Sequence, residues 1–170
     1  PIAGMETYVA QTSMESRNKN EEVYHLTLLA ENREGYENLL KISTESYLRG
    51  FYYKPRVDKN FLKSHSKGII ALSGCLQGEL PRKILLGFDD KELERVIESY
   101  LEIFGKDNFF LELQDVGFEE NRIVNRKLLE LSSRFGIGTV ATNDVHFLRP
   151  EDKILQEVAI CIQTLSLIHI

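Results

Sequence analysis

The chain has 170 residues, 42% hydrophobic and 28% charged, with 11 Gly, 4 Pro and no Trp, enough length and apolar content to bury one real core. This excludes a disordered or collagen-like chain, and the two cysteines, Cys75 and Cys161, form no CxxC pair that would indicate a zinc ribbon or a stapled secreted fold. No apolar run approaches the roughly 20 residues that cross a bilayer and no signal-peptide pattern opens the chain, so a cytoplasmic protein with no membrane partner is expected. A net charge of −5 argues against a surface that grips nucleic acid throughout.

In chain order, Pro1–Ala10 reads as the middle of a longer sequence and carries a strand-like start near residues 2–9. Further β-branched, apolar runs occur at Tyr24–Ala30, Gly68–Ser73, Asn108–Leu113 and Gly138–Thr142, each followed by helical periodicity. Leu93, Val96, Ile97, Tyr100, Leu101 and Phe104 recur at three- and four-residue steps, as do Val124, Leu128, Leu131 and Phe135, and then Ile154, Leu155, Val158 and Ile162. Gly105 and Gly136 are placed to close two of these helices, and Pro150 with Glu151 and Asp152 to open the last. Repeated βα units predict an α/β fold with a parallel sheet, either doubly wound or barrel-like. One domain is expected over residues 1–164, incomplete at its N-terminal side. Leu165–Ile170 follow Thr164 without cap or stop signal and read as the translation of a sequencing adapter.

Lys41 to Lys67 holds seven basic residues against two acidic ones, interleaved with Tyr47, Phe51, Tyr52 and Tyr53. Such a strip is ordinarily a solvated face with anchoring aromatics; functionally it could touch phosphates or stack bases.

Parallel α/β folds gather chemistry beyond the carboxyl ends of their strands. There, Asp144 and His146 stand two apart, a spacing that in an extended segment points both the same way and suits joint coordination of a cation. Cys75 follows the Ile69–Ser73 run behind Gly74, Glu6 ends the first strand, and His25 sits among apolar residues at the start of its own. Each alone reads as structural. Together they make an oxygen, nitrogen and sulfur set of the kind that binds Zn, Mn or Fe. Glu112, Gln114 and Asp115 could reach the same mouth or lie on the surface. No Walker loop, GxGxxG or GxSxG occurs.

Six blocks, in order, then carry a family resemblance: Gly4–Ala10, Tyr24–Ala30, Gly50–Arg56, Ala71–Glu79, Phe110–Asp115 and Ala141–Leu148. They resemble the PHP (polymerase and histidinol phosphatase) domain family, in the form that begins the alpha subunits of bacterial C-family replicative DNA polymerases, over Pro1 to Thr164. The resemblance implies a distorted (β/α)7 TIM-like barrel with up to three divalent metal ions, Zn or Mn, at the carboxyl ends of its strands. It assigns Glu6, His25, Cys75, Asp144 and His146 as ligands, with Asp144 and His146 also catalytic, and places an opening His-x-His motif and two further ligands upstream of Pro1. It implies a phosphodiesterase site acting as a 3′-to-5′ proofreading exonuclease in DNA replication, with DNA, the other polymerase domains and replisome subunits as partners. Lys54, Arg56 and Arg149 are the expected phosphate contacts. The polymerase site would lie outside the fragment, which alone would be inactive. A silent, metal-stabilised platform and a stand-alone phosphoesterase acting on a small ester such as histidinol phosphate are the competing expectations.

Overall fold

The computed structural model describes residues 1–164. Its strands are β1 (Gly4–Ala10), β2 (Val23–Ala30), β3 (Arg56–Val57), β4 (Ile69–Leu72), β5 (Phe109–Gln114) and β6 (Thr139–Thr142). Helix α1 (Arg33–Leu48) follows β2, α2 (Lys59–Ser64) follows β3, α3 (Glu79–Leu85) and α4 (Asp90–Phe104) follow β4, and α5 (Glu119–Phe135) follows β5. After β6 a 3-10 turn, Pro150–Asp152, leads into α6 (Lys153–Thr164), so Pro150 opens the turn and not the helix itself. The segment read as an adapter, Leu165–Ile170, lies outside the described residues.

The strands form one six-stranded sheet in the order β3-β1-β2-β4-β5-β6. Five run parallel, but β2 runs against both of its neighbours, β1 and β4, which corrects the expectation of an all-parallel sheet. The connection from β1 to β2 carries no helix. A parallel neighbour needs a crossover, usually helical, whereas the chain here simply turns back on itself. The fold is therefore mixed α/β. The sheet does not close into the expected barrel among the described residues, because closure requires its two outer strands to pair, and the outer strands β3 and β6 do not.

Local signals explain the helices. Asn32 caps α1 by accepting from the Gly35 N–H at 3.0 Å, and Asp89 caps α4 by accepting from Glu92 at 2.9 Å. Helix α5 ends at Gly136, whose φ of 61° is open to glycine without strain.

Alternation along the strands sorts two faces. One contributes Val9, Leu26, Leu28, Val57, Ile69, Ala71, Phe109 and Leu111, which meet Leu39 and Ile42 of α1, Val96, Ile97 and Tyr100 of α4, and Val124, Leu128 and Leu131 of α5 in a single core. The other face carries Glu6, Tyr8, His25, Thr27, Phe110, Glu112, Gln114 and Thr142. The polar face positions the site.

Candidate metal centre

The reversed direction of β2 decides the geometry. His25 lies at the start of its strand, but because β2 runs backwards that start stands at the same end of the sheet as the carboxyl ends of the parallel strands. His25 faces Tyr8 in register, with Glu6 two residues away on the same face. The third side chain arrives from the turn after β4. Gly74 adopts a φ of 84°, and a Cβ there would stand 2.6 Å from the His25 carbonyl; only glycine allows this approach. The turn is stapled to β2, since the His25 N–H donates to the Gln77 carbonyl at 3.0 Å. Cys75 is thereby aimed at His25, Sγ to Nδ1 at 3.5 Å.

Glu6, His25 and Cys75 are the group of metal-ligating side chains, among the described residues, whose donor atoms all lie within 4.8 Å of one another. Nδ1 of His25 is 3.2 Å from Glu6 Oε1 as well as near the sulfur. Hydrogen bonding to Cys75 first, then to Glu6, raises His25 to about 9 against the opposing cost of burial. The His25 hydrogen bond holds the Glu6 carboxyl below its usual range, with help from the charges of His146 and Lys54. Oxygen, nitrogen and sulfur donors thus converge on a point that the imidazole proton shares, and this set fits a divalent cation of the zinc type.

Two residues support the triad without joining it. The Tyr8 ring meets the His25 ring edge-on, centroids 4.9 Å apart. Glu112 is 6% exposed and its carboxylate accepts from the Gly74 N–H at 3.1 Å, from Gln114 Nε2 at 3.1 Å and from the Thr142 hydroxyl. It ties the Cys75 turn to β5 and β6. Sequence reasoning left Glu112 between the site mouth and the surface, and missed Tyr8, although its two-residue step from Glu6 was the available signal.

The remaining predicted residues are placed differently. Asp144 and His146 are exposed in the segment after β6, with Oδ1 and Nδ1 3.9 Å apart, and Nδ1 of His146 lies 2.9 Å from the Asp144 carbonyl oxygen. They stand outside the three-residue cluster, close enough for the His146 charge to act on Glu6. Lys54 is exposed, its ammonium 4.5 Å from the centroid of the Tyr8 ring. Arg149 is exposed, its N–H donating to Asp152 Oδ2 at 3.2 Å. Arg56 is corrected: it is 2% exposed and donates to the carbonyls of Gly50, Met14 and Ser16. With Glu21 at 3.7 Å as its counter-ion, it braces the 11–22 connection, its buried guanidinium committed to these partners.

A mixed sheet with a cluster of oxygen, nitrogen and sulfur ligands at one end agrees with comparison to known families. The PHP domain family pattern matches residues 1–116, and the chain belongs to this family. The chain is 44% identical over 166 residues to the DNA polymerase III subunit alpha of Treponema pallidum (strain Nichols), across 96% of the chain and 14% of that protein. It is 45% identical over 168 residues to the subunit of the same name from Thermus aquaticus, again across 96% and 14%. The corresponding Aquifex aeolicus (strain VF5) protein is 36% identical over 177 residues, across 99% of the chain and 15% of its own length. The chain spans about one seventh of the length of these relatives. No helix among the described residues is long and apolar enough to cross a membrane.

Proposed function

We propose that this chain is a fragment of the PHP domain of a bacterial DNA polymerase III alpha subunit, a protein of DNA replication, and that Glu6, His25 and Cys75 form part of a divalent-metal centre that hydrolyses phosphodiesters as a 3′-to-5′ proofreading exonuclease. The observation that carries the reading is the convergence of three different donor types within 4.8 Å on the polar face of the sheet. In this reading the complete domain closes as a distorted barrel, and Asp144 and His146 complete the ligand set from the segment after β6. A thiolate among the ligands favours Zn over Mn.

When bound there, divalent ions supply a water acidic enough to attack near neutral pH and offset the charge that builds on the phosphoryl oxygens. The protein's own residues prepare this. His25 would hold the ion through Nδ1 once that nitrogen's proton had passed to solvent, with the Tyr8 ring against the imidazole. Glu112 holds the Gly74 turn so that Cys75 keeps its aim. Lys54 and Arg149 meet the phosphate oxygens, Lys54 from its position above Tyr8. DNA, the other domains of the subunit and replisome subunits are the partners, and polymerisation belongs to parts of the subunit beyond this chain.

The test uses the full-length subunit with a 3′-labelled, mispaired primer, before and after chelation and after return of Zn or Mn. Excision that is lost on chelation, restored by metal and absent in His25→Ala is expected. Metal retention in the wild type with no excision under any metal would overturn the exonuclease and leave a metal-stabilised platform.

A further inference from the structure

We propose that Tyr47, Phe51, Tyr53 and Lys54 form a stacking platform for the unpaired bases of a DNA strand, leading its end to the Glu6, His25 and Cys75 centre; the destination of the strand rests on the phosphodiesterase reading, whereas the platform rests on its own geometry. Tyr47 is 61% exposed, Phe51 50% and Tyr53 72%. Three aromatic rings this far into water, on one short stretch of chain, contribute little to the core, whose members lie elsewhere. They are also arranged. The Tyr47 and Phe51 rings are stacked, 20° between planes with centroids 6.2 Å apart.

Tyr53 is the one non-glycine residue with positive φ among the described residues, at 60°. A bulky side chain rarely adopts this conformation, and such strain persists where the surroundings impose it. Here Tyr52 packs inward under Arg17 and Arg56 while the strained turn holds Tyr53 outward against its edge. Tyr52, Tyr53, Lys54 and Lys19 border an open cleft of about 270 Å³, whose wall also carries the paired Arg56 and Glu21 side chains, 3.7 Å apart.

Charge selects the occupant. Arg49 nearby is neutralised by Glu15 and Glu45, whereas Lys54 and Lys19 make no ion pair among the described residues. Cations beside exposed flat rings fit a chain of alternating phosphates and bases, and a single strand rather than a duplex, since paired bases have no free face to stack. Contacts then run continuously to the centre: Lys54 lies over the Tyr8 ring, Tyr8 meets His25, and His25 meets Glu6 and Cys75.

The experiment is photocrosslinking of the full-length subunit, in chelator, to a single-stranded oligonucleotide carrying 5-iododeoxyuridine near its 3′ end, with the crosslinked peptides mapped by mass spectrometry. Crosslinks at Tyr47, Phe51 or Tyr53 are expected, and their loss in Tyr47→Ala/Phe51→Ala, with KM for single-stranded DNA hydrolysis rising about tenfold. Tyr47→Trp/Phe51→Trp, which keeps two flat rings, is expected to retain binding. Crosslinks at these residues with no hydrolysis under any metal would uphold the platform and overturn the phosphodiesterase reading. Hydrolysis with crosslinks only elsewhere and an unchanged KM would overturn the platform alone.

Discussion

His25 stands directly opposite Tyr8 across the β1–β2 pair, and the edge of one ring rests on the other at 4.9 Å. This contact exists because β2 runs against its neighbours, and it sets the plane of the imidazole that faces Glu6 and Cys75. Groups that orient a ligand are typically worth 10- to 100-fold in metal affinity. Tyr8→Ala is therefore expected to weaken Zn binding by about tenfold, measured by competition with a chromophoric chelator, while Tyr8→Phe, which keeps the ring, stays close to wild type. Equal affinity in Tyr8→Ala would show that His25 needs no such support.

In the metal-free chain, Cys75 and Glu6 raise His25 to about 9 from 6.5. A group held above its ordinary value contributes stability that is fully present below pH 6.5 and drains away as pH rises through 9. Urea unfolding at pH about 6 and about 10 is expected to show wild type losing about 1–2 kcal/mol more than His25→Ala over that interval, after allowance for solvent screening of the half-exposed Glu6. Identical losses in the two proteins would remove the interaction from the account.

Gly74→Ala places a methyl group 2.6 Å from the His25 carbonyl at a φ of 84°. The turn must shift, and Cys75 shifts with it. A loss of about 1–3 kcal/mol in stability is expected, accompanied by loss of bound metal in the purified protein. Metal retained at wild-type stoichiometry would show that the turn does not aim the thiol.

Arg56 and Lys54 lie two residues apart and separate sharply. Arg56→Ala leaves Glu21 and three carbonyls without their buried partner and is expected to cost about 3–5 kcal/mol in urea unfolding. Lys54→Ala removes an exposed side chain and is expected to stay within about 0.5 kcal/mol of wild type. Comparable losses for both would contradict the assignment of Arg56 as a brace.

Several elements were legible in the sequence because one local rule dominated each. The α4 and α5 stripes, their closing glycines and the strands at Tyr24–Ala30 and Thr139–Thr142 follow from periodicity and caps alone. The direction of β2 was not legible, since hydrophobic pattern is blind to strand polarity; only the absence of a helix between Ala10 and Val23 hinted at it. That same polarity resolves why His25, at the start of its strand, reaches the site. Arg56 was misread because its neighbours Lys54 and Lys59 are polar in sequence, while the carbonyls that hold it come from residues far along the chain. β3, two residues long, carries no period at all.

The central claim is that Glu6, His25 and Cys75 hold one cation together. Its most direct test is cobalt(II) substitution of the metal-free full-length subunit, read by absorption spectroscopy. A thiolate-to-cobalt charge-transfer band that disappears in Cys75→Ser, with the bound stoichiometry also reduced in His25→Ala, is the predicted result. A band and stoichiometry unchanged by both substitutions would place the metal elsewhere and contradict the account.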